Sequence, residues 1–148
     1  MAKFSAQDVY SLLGPHRLTD EQVAAVEGAS VDAPTLVIAG AGSGKTELMS
    51  VRILYLVANQ LAKPQEILGL TFTKKAASEL SARVLKALYL LRESPMWPQD
   101  LEADFLPPKI ATYNSFGNEV FRQFALEVGY EPDAQVLGDS TSVALARE

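Results

Sequence analysis

One stretch constrains the chain more than any other: Leu36-Val37-Ile38-Ala39-Gly40-Ala41-Gly42-Ser43-Gly44-Lys45-Thr46. A short apolar run breaks into glycines, then Lys-Thr, then a helical pattern. Glycines let backbone N–H groups curl around phosphate oxygens without Cβ clashes. The helix that follows aims its first amides and its positive dipole end at the same anion. Lys45 can reach the β- and γ-phosphates, and the Thr46 hydroxyl can ligate Mg²⁺. The run is a P-loop with one departure, since Ala39 stands where the strict pattern has its first glycine. A plain glycine-rich turn with a solvated Lys45 explains less. It leaves the preceding apolar run, the Gly42-x-Gly44 pair, the Lys-Thr register and the following helix as coincidences.

At 148 residues the chain is long enough for one domain with a core, and 48% apolar with 21% charged residues is ordinary for a globular protein. The absence of cysteine excludes disulfides and thiolate metal sites and fits a reducing cytoplasm. No segment reaches the roughly 20 apolar residues of a membrane span. The N-terminus opens no signal-peptide pattern, because Gly14-Pro15 interrupts it early. A net charge of −5 argues against a globally basic nucleic-acid binder while permitting a local groove. His16, the single histidine, has no metal-ligand spacing around it and reads as a loop residue.

Periodicity orders the rest. Residues 5–13 are weakly helical. Thr19 with Gln22 three positions on, among Asp20 and Glu21, is a capping-box pattern, and Gly28 a helix stop. Residues 35–39 read as a buried parallel strand, 46–59 as a helix apolar on most sides, and 66–72 as a second strand. Thr73 can cap a helix whose stripe is Ala77, Leu80, Val84, Leu88 and Leu91. Residues 94–108, with four prolines and Trp97, read as a surface connector. Residues 110–113 make a third strand. Phe116, Val120, Phe121, Phe124 and Val128 form an amphipathic stripe expected to pack in the core, with Gly129 as its stop. A further helix is expected to start near Thr141.

Alternating strands and helices predict an α/β fold, a parallel sheet flanked by helices, with ligands at the C-terminal strand ends. Two of the three ends repeat one chemistry: Thr71-Phe72-Thr73-Lys74-Lys75 and Thr112-Tyr113-Asn114-Ser115. A hydroxyl can donate to a phosphate, and an aromatic face can stack a base. Alone, each is a strand end with a core aromatic. Together, beside a P-loop, they point to single-stranded nucleic acid.

These residues resemble superfamily 1 helicases of the UvrD/Rep/PcrA type. Leu18-Thr19-Asp20-Glu21-Gln22 is similar to the Q motif, whose glutamine reads adenine. AGAGSGKT from Ala39 to Thr46 is similar to that family's own Walker A, alanine included. Leu70 to Val84 resembles motif Ia, and Ala111 to Phe116 resembles motif Ib. The resemblance implies a three-layer, RecA-like motor domain with residues 1–116 in subdomain 1A and 117–148 opening the inserted helical subdomain 1B. It implies ATP and Mg²⁺ at Gln22, residues 39–46 and Glu47. It implies DNA at Thr71, Phe72, Thr73, Lys74, Thr112, Tyr113 and Asn114. The activity implied is 3′-to-5′ translocation on single-stranded DNA and unwinding at duplex junctions, in repair or recombination. Glu47, Lys74 and Asn114 depart from the commoner Arg, Asn and His. Lys45-Thr46-Glu47-Leu48-Met49 is similar to a branch some of whose members carry a RecB-like nuclease domain. A Walker B carboxylate pair and arginine fingers find no match, so the chain is expected to be an N-terminal piece, inactive alone and prone to self-association through an open sheet edge. A P-loop NTPase of another class, such as a kinase or GTPase, and a non-catalytic nucleotide-binding module are the competing readings.

Overall fold

The structure is a computed structural model that describes residues 3–28, 34–40, 42–101 and 105–133. The backbone forms two compact units, Met1–Thr112 and Tyr113–Glu148. The helix expected near Thr141 lies outside the described residues, as does Ala41.

In the first unit, α1 (Ala6–Ser11) is a single well-capped turn and a half: Ser5 and Asp8 form a reciprocal capping box. Helix α2 (Asp20–Glu27) starts on the expected box between Thr19 and Gln22 and ends at Gly28. Helix α3 (Lys45–Ala58) follows the P-loop. A 3₁₀ turn at Pro64–Glu66 leads into strand β1 (Leu68–Thr71), so the second strand is shorter than its apolar run suggested. Thr73 caps α4 (Lys74–Arg92) by accepting a bond from the Ala76 amide at 3.1 Å. Strand β2 (Lys109–Thr112) then pairs with β1 in parallel register, Leu68 opposite Lys109 and Thr71 opposite Thr112.

Helix α3 is the centre of the unit. One flank of it packs with α4 around Leu54, Val57, Leu80, Val84 and Leu88, with α1 contributing Val9. The other meets α1 and α2 through Val51, Tyr55, Ala6, Tyr10 and Val26. Its all-round apolar character is therefore explained by burial on two sides. The expected α4 stripe is the buried face of that helix. Helix α4 also packs against both strands, completing a β-α-β arrangement.

Three expectations need correction. Residues 35–39 form no strand. Among the described residues the sheet has two strands that pair with each other, and β-branched composition yields a ladder only where a neighbour supplies one. Leu36 and Ile38 are consequently 84% and 89% exposed. The 94–108 connector is more than a surface excursion. Met96, Trp97, Leu101 and Phe105 pack onto the core, with Trp97 against Phe105 at 5.2 Å and its indole N–H donating to Leu101 O at 3.2 Å.

The third correction concerns the second unit. Helix α5 (Tyr113–Phe124) begins at Tyr113, three residues before the expected stripe, and passes into a 3₁₀ turn at Ala125–Val128 that Gly129 ends with a left-handed φ of 80°. The stripe is not core: no α5 residue is buried, and Val120, Phe124 and Val128 are exposed. Amphipathic spacing shows that a face wants cover, and in this unit Ala125 alone is fully covered among the described residues.

Candidate nucleotide-binding site

The loop between residues 39 and 45 is built by backbone conformation. Gly42 and Gly44 have φ of 78° and 77°, the left-handed region that glycine enters without steric penalty. Gly44 is the residue from which α3 starts, and no side chain caps that end. The first amides of α3 therefore have no capping side chain, which is the arrangement that receives an anion. Ser43 donates its hydroxyl to Gly40 O at 2.8 Å and tightens the turn. Open space surrounds the Cα of Gly40 and of Gly42 on the side a Cβ would take.

Lys45 curls back over this loop. Its ammonium donates to Ala39 O at 3.1 Å and Gly40 O at 2.5 Å. The cation thus sits on the loop rather than extending into solvent, and an incoming phosphate would exchange those bonds to neutral carbonyls for bonds to an anion. Thr46 is the exposed second residue of α3, and its carbonyl is anchored by the buried Ser50 hydroxyl at 3.1 Å. A cavity of about 250 Å³ opens beside the loop between Val37, Lys45, Leu48, Met49, Arg52 and Ala25. In its lining, burial pulls the Arg52 guanidinium below its ordinary pKa, and Arg52 donates to Val26 O.

Gln22 reaches the loop from α2. Its Oε1 accepts from the Thr19 amide at 2.9 Å, while the Gln22 amide donates to Thr19 Oγ1 at 3.3 Å. Its Nε2 faces Gly44: a Cβ built there would lie 3.9 Å from Gln22 Nε2 and 3.9 Å from Glu47 Oε2. The helix-cap role and a place at the loop are both realised by one side chain. Glu47 is held in turn by Tyr10, whose hydroxyl donates to Glu47 Oε1 at 3.0 Å. Burial, the bond to Glu47 and the Glu47 charge raise the Tyr10 pKa, so the hydroxyl remains a donor at neutral pH. Tyr10 was not singled out in the sequence. The available signal was the Ala6, Val9, Tyr10, Leu13 spacing, which marks an inward face of α1.

The nucleic-acid candidates divide. Thr71 and Thr112 end adjacent strands side by side, and Thr71 donates its hydroxyl to Thr73 O at 3.1 Å. Phe72 is 90% exposed, Lys74 is exposed in the first turn of α4, and Thr112 is buried. Tyr113 and Asn114 directly follow the end of β2 at Thr112, as Phe72 and Thr73 follow the end of β1 at Thr71, and they open α5 in the second unit. Among the described residues no group of three or more histidine or carboxylate side chains gathers to hold a metal ion, and no helix is long and apolar enough to cross a membrane.

Residues 18–148 match the family described as UvrD/REP helicase N-terminal domain. Curated relatives include a probable DNA helicase II homolog of Mycoplasma capricolum, 39% identical over 114 residues that make up 77% of this chain and 14% of that protein. The ATP-dependent DNA helicase Rep of Buchnera aphidicola is 38% identical over 93 residues, 63% of this chain and 12% of Rep. The ATP-dependent DNA helicase PcrA of Staphylococcus epidermidis is 46% identical over 67 residues, 45% of this chain and 9% of PcrA. The chain thus spans 14% or less of the length of these relatives. The P-loop at the head of α3 and the capping-box glutamine beside it lie inside the matched region, and the chain belongs to the UvrD/REP helicase N-terminal domain family.

Proposed function

We propose that the intact protein is an ATP-dependent DNA helicase that moves 3′-to-5′ along single-stranded DNA and opens duplex junctions, in repair or recombination within the cytoplasm. This chain supplies the first part of its RecA-like motor domain 1A, with residues 117–148 opening subdomain 1B. The observation that carries the reading is the loop itself: Gly42 and Gly44 in left-handed conformations, with the Lys45 ammonium folded over them at the uncapped start of α3. Family membership turns that phosphate site toward DNA.

The residues suit Mg-ATP. Amides from Gly40 through Thr46 would receive the phosphate oxygens, and Lys45 would neutralise the β,γ-bridge. The Thr46 hydroxyl offers one ligand to Mg²⁺, which when bound neutralises phosphate charge and aligns the γ-phosphate for in-line attack. Gln22 and Glu47, whose head groups face Gly44, would meet the nucleoside. Thr71 and Thr112 end the two strands side by side, at the sheet end along which a DNA backbone would run. Phe72 offers an exposed ring to a base, and Thr73, Lys74, Tyr113 and Asn114 follow in sequence. The uncovered Leu36-Val37-Ile38 segment favours self-association when the chain stands alone.

The test is ATP hydrolysis by the intact protein with and without single-stranded DNA. Stimulation by DNA is expected. Turnover indifferent to DNA would favour a P-loop NTPase of another class.

A further inference from the structure

Helix α3 carries an anion of its own at the end where it is to receive one. Gly44 is its N-cap, so Lys45, Thr46 and Glu47 are its first three residues. A glutamate at the third position of a helix ordinarily reaches back to the free amides of its own N-terminus. In α3 those amides are the phosphate donors, and a carboxylate bonded to them would stand in for a phosphate oxygen. Glu47 lies within reach of them, since its Oε2 is 3.9 Å from where a Cβ on Gly44 would stand. Yet, among the described residues, its hydrogen bond goes elsewhere: Oε1 accepts from the Tyr10 hydroxyl at 3.0 Å.

The Tyr10 hydroxyl is a fixed point. Its ring is buried in the cluster shared by α1, α2 and α3. The segment around it is fastened along its length. The Phe4 amide donates at 2.8 Å to Oδ1 of Asn59, the C-cap of α3. The Ala6 amide donates to Glu27 Oε1 at 2.6 Å, and Gln7 Oε1 accepts from the Leu18 amide at 3.0 Å. Helix α1 lies before the family-matched residues 18–148, so the restraint on Glu47 comes from outside them. Resting on the nucleotide-site reading above, we propose that Tyr10 is a positioning residue whose hydroxyl ties the Glu47 carboxylate to α1 and keeps it from capping the amides that receive phosphate. The pair thereby holds the head of α3 open for its ligand, against the helix's own tendency to cap itself.

The experiment titrates the intact protein calorimetrically with inorganic tripolyphosphate, which engages the phosphate loop without a base or a ribose. Tyr10→Phe, which keeps the packed ring, is compared in the parent and in the Glu47→Ala background. Titration gives affinity and stoichiometry separately, so a partly folded variant lowers the second and leaves the first readable. In the parent background Tyr10→Phe should weaken tripolyphosphate by roughly 2- to 30-fold, the factor that a helix-cap bond is worth. In the Glu47→Ala background no carboxylate remains to be restrained, and the same substitution should leave the affinity where it was. A parental affinity in Tyr10→Phe overturns the proposal. So does an equal loss in both backgrounds, because the hydroxyl would then act through the packing of α1. Lys45→Ala separates these failures from a deeper one: if it binds tripolyphosphate as the parent does, the nucleotide-site reading itself is wrong.

Discussion

Gln22→Glu separates two functions that the structure superimposes on one side chain. Gln22 Oε1 completes the capping box with Thr19, and Nε2 faces the P-loop at Gly44. A carboxylate keeps the first role, since Glu is a favoured third residue of a capping box. It cannot keep the second, because it has no donor. The stability change should be small. A negative charge in the first turn of a helix contributes about 0.3–1 kcal/mol, and repulsion from Glu47, which also faces Gly44, offsets part of it. The melting temperature of the 148-residue chain should therefore move by no more than about 2–4 °C. Nucleotide affinity of the intact protein should fall by much more. An unpaired purine nitrogen facing a carboxylate costs about 1–3 kcal/mol, roughly 5- to 150-fold. Gln22→Ala should lose both, with about 1 kcal/mol less stability and a similar drop in affinity. Isothermal titration with ATP beside thermal melts decides it. If Gln22→Glu binds ATP as tightly as the parent, Gln22 is a helix cap and nothing more.

Other expectations follow from single contacts. Leu88→Ala removes a fully buried side chain at the α3–α4 contact and should cost about 2–5 kcal/mol in urea denaturation of the chain, because close-packed neighbours fill such a cavity poorly. Phe72→Ala should leave stability nearly untouched, since the ring is exposed, while weakening single-stranded DNA binding by about 1–3 kcal/mol in fluorescence anisotropy; an unfolded variant would place the ring in the core. Ser5 holds the Asp8 carboxyl below its ordinary 3.8, first through its hydroxyl and then through its amide. The folded pKa being the lower one, that contribution is present above about pH 4 and is lost as pH falls through the folded value. Ser5→Ala should flatten this part of an acid-denaturation curve.

What the sequence revealed and what it hid have physical causes. Capping residues, left-handed glycines and helical stripes are local, and Thr19, Thr73, Gly42, Gly44 and the Leu80-to-Leu91 face were all legible. Strand pairing is not local. Residues 35–39 have strand composition, but composition does not say which neighbour completes the ladder, and β1 pairs with β2 instead. Similarly, the Phe116-to-Val128 stripe reports a face to be covered without reporting the cover. The third strand, expected over 110–113, runs over 109–112, because α5 begins at Tyr113 with no turn signal to mark the boundary. At the site, the loop was evident in its glycines. The Tyr10–Glu47 clamp, between residues 37 positions apart, was visible only once α1 was packed against α3.

The central claim is that the loop ending in Lys45 binds the phosphates of ATP for work on DNA. The measurement that tests it most directly is DNA-stimulated ATP turnover of the intact protein beside its Lys45→Ala variant. The account predicts stimulation by single-stranded DNA in the parent and a loss of roughly 10²–10³-fold or more in the variant, as when a charge-stabilising group is removed from an active site. Turnover that survives Lys45→Ala undiminished, with or without DNA, would contradict it.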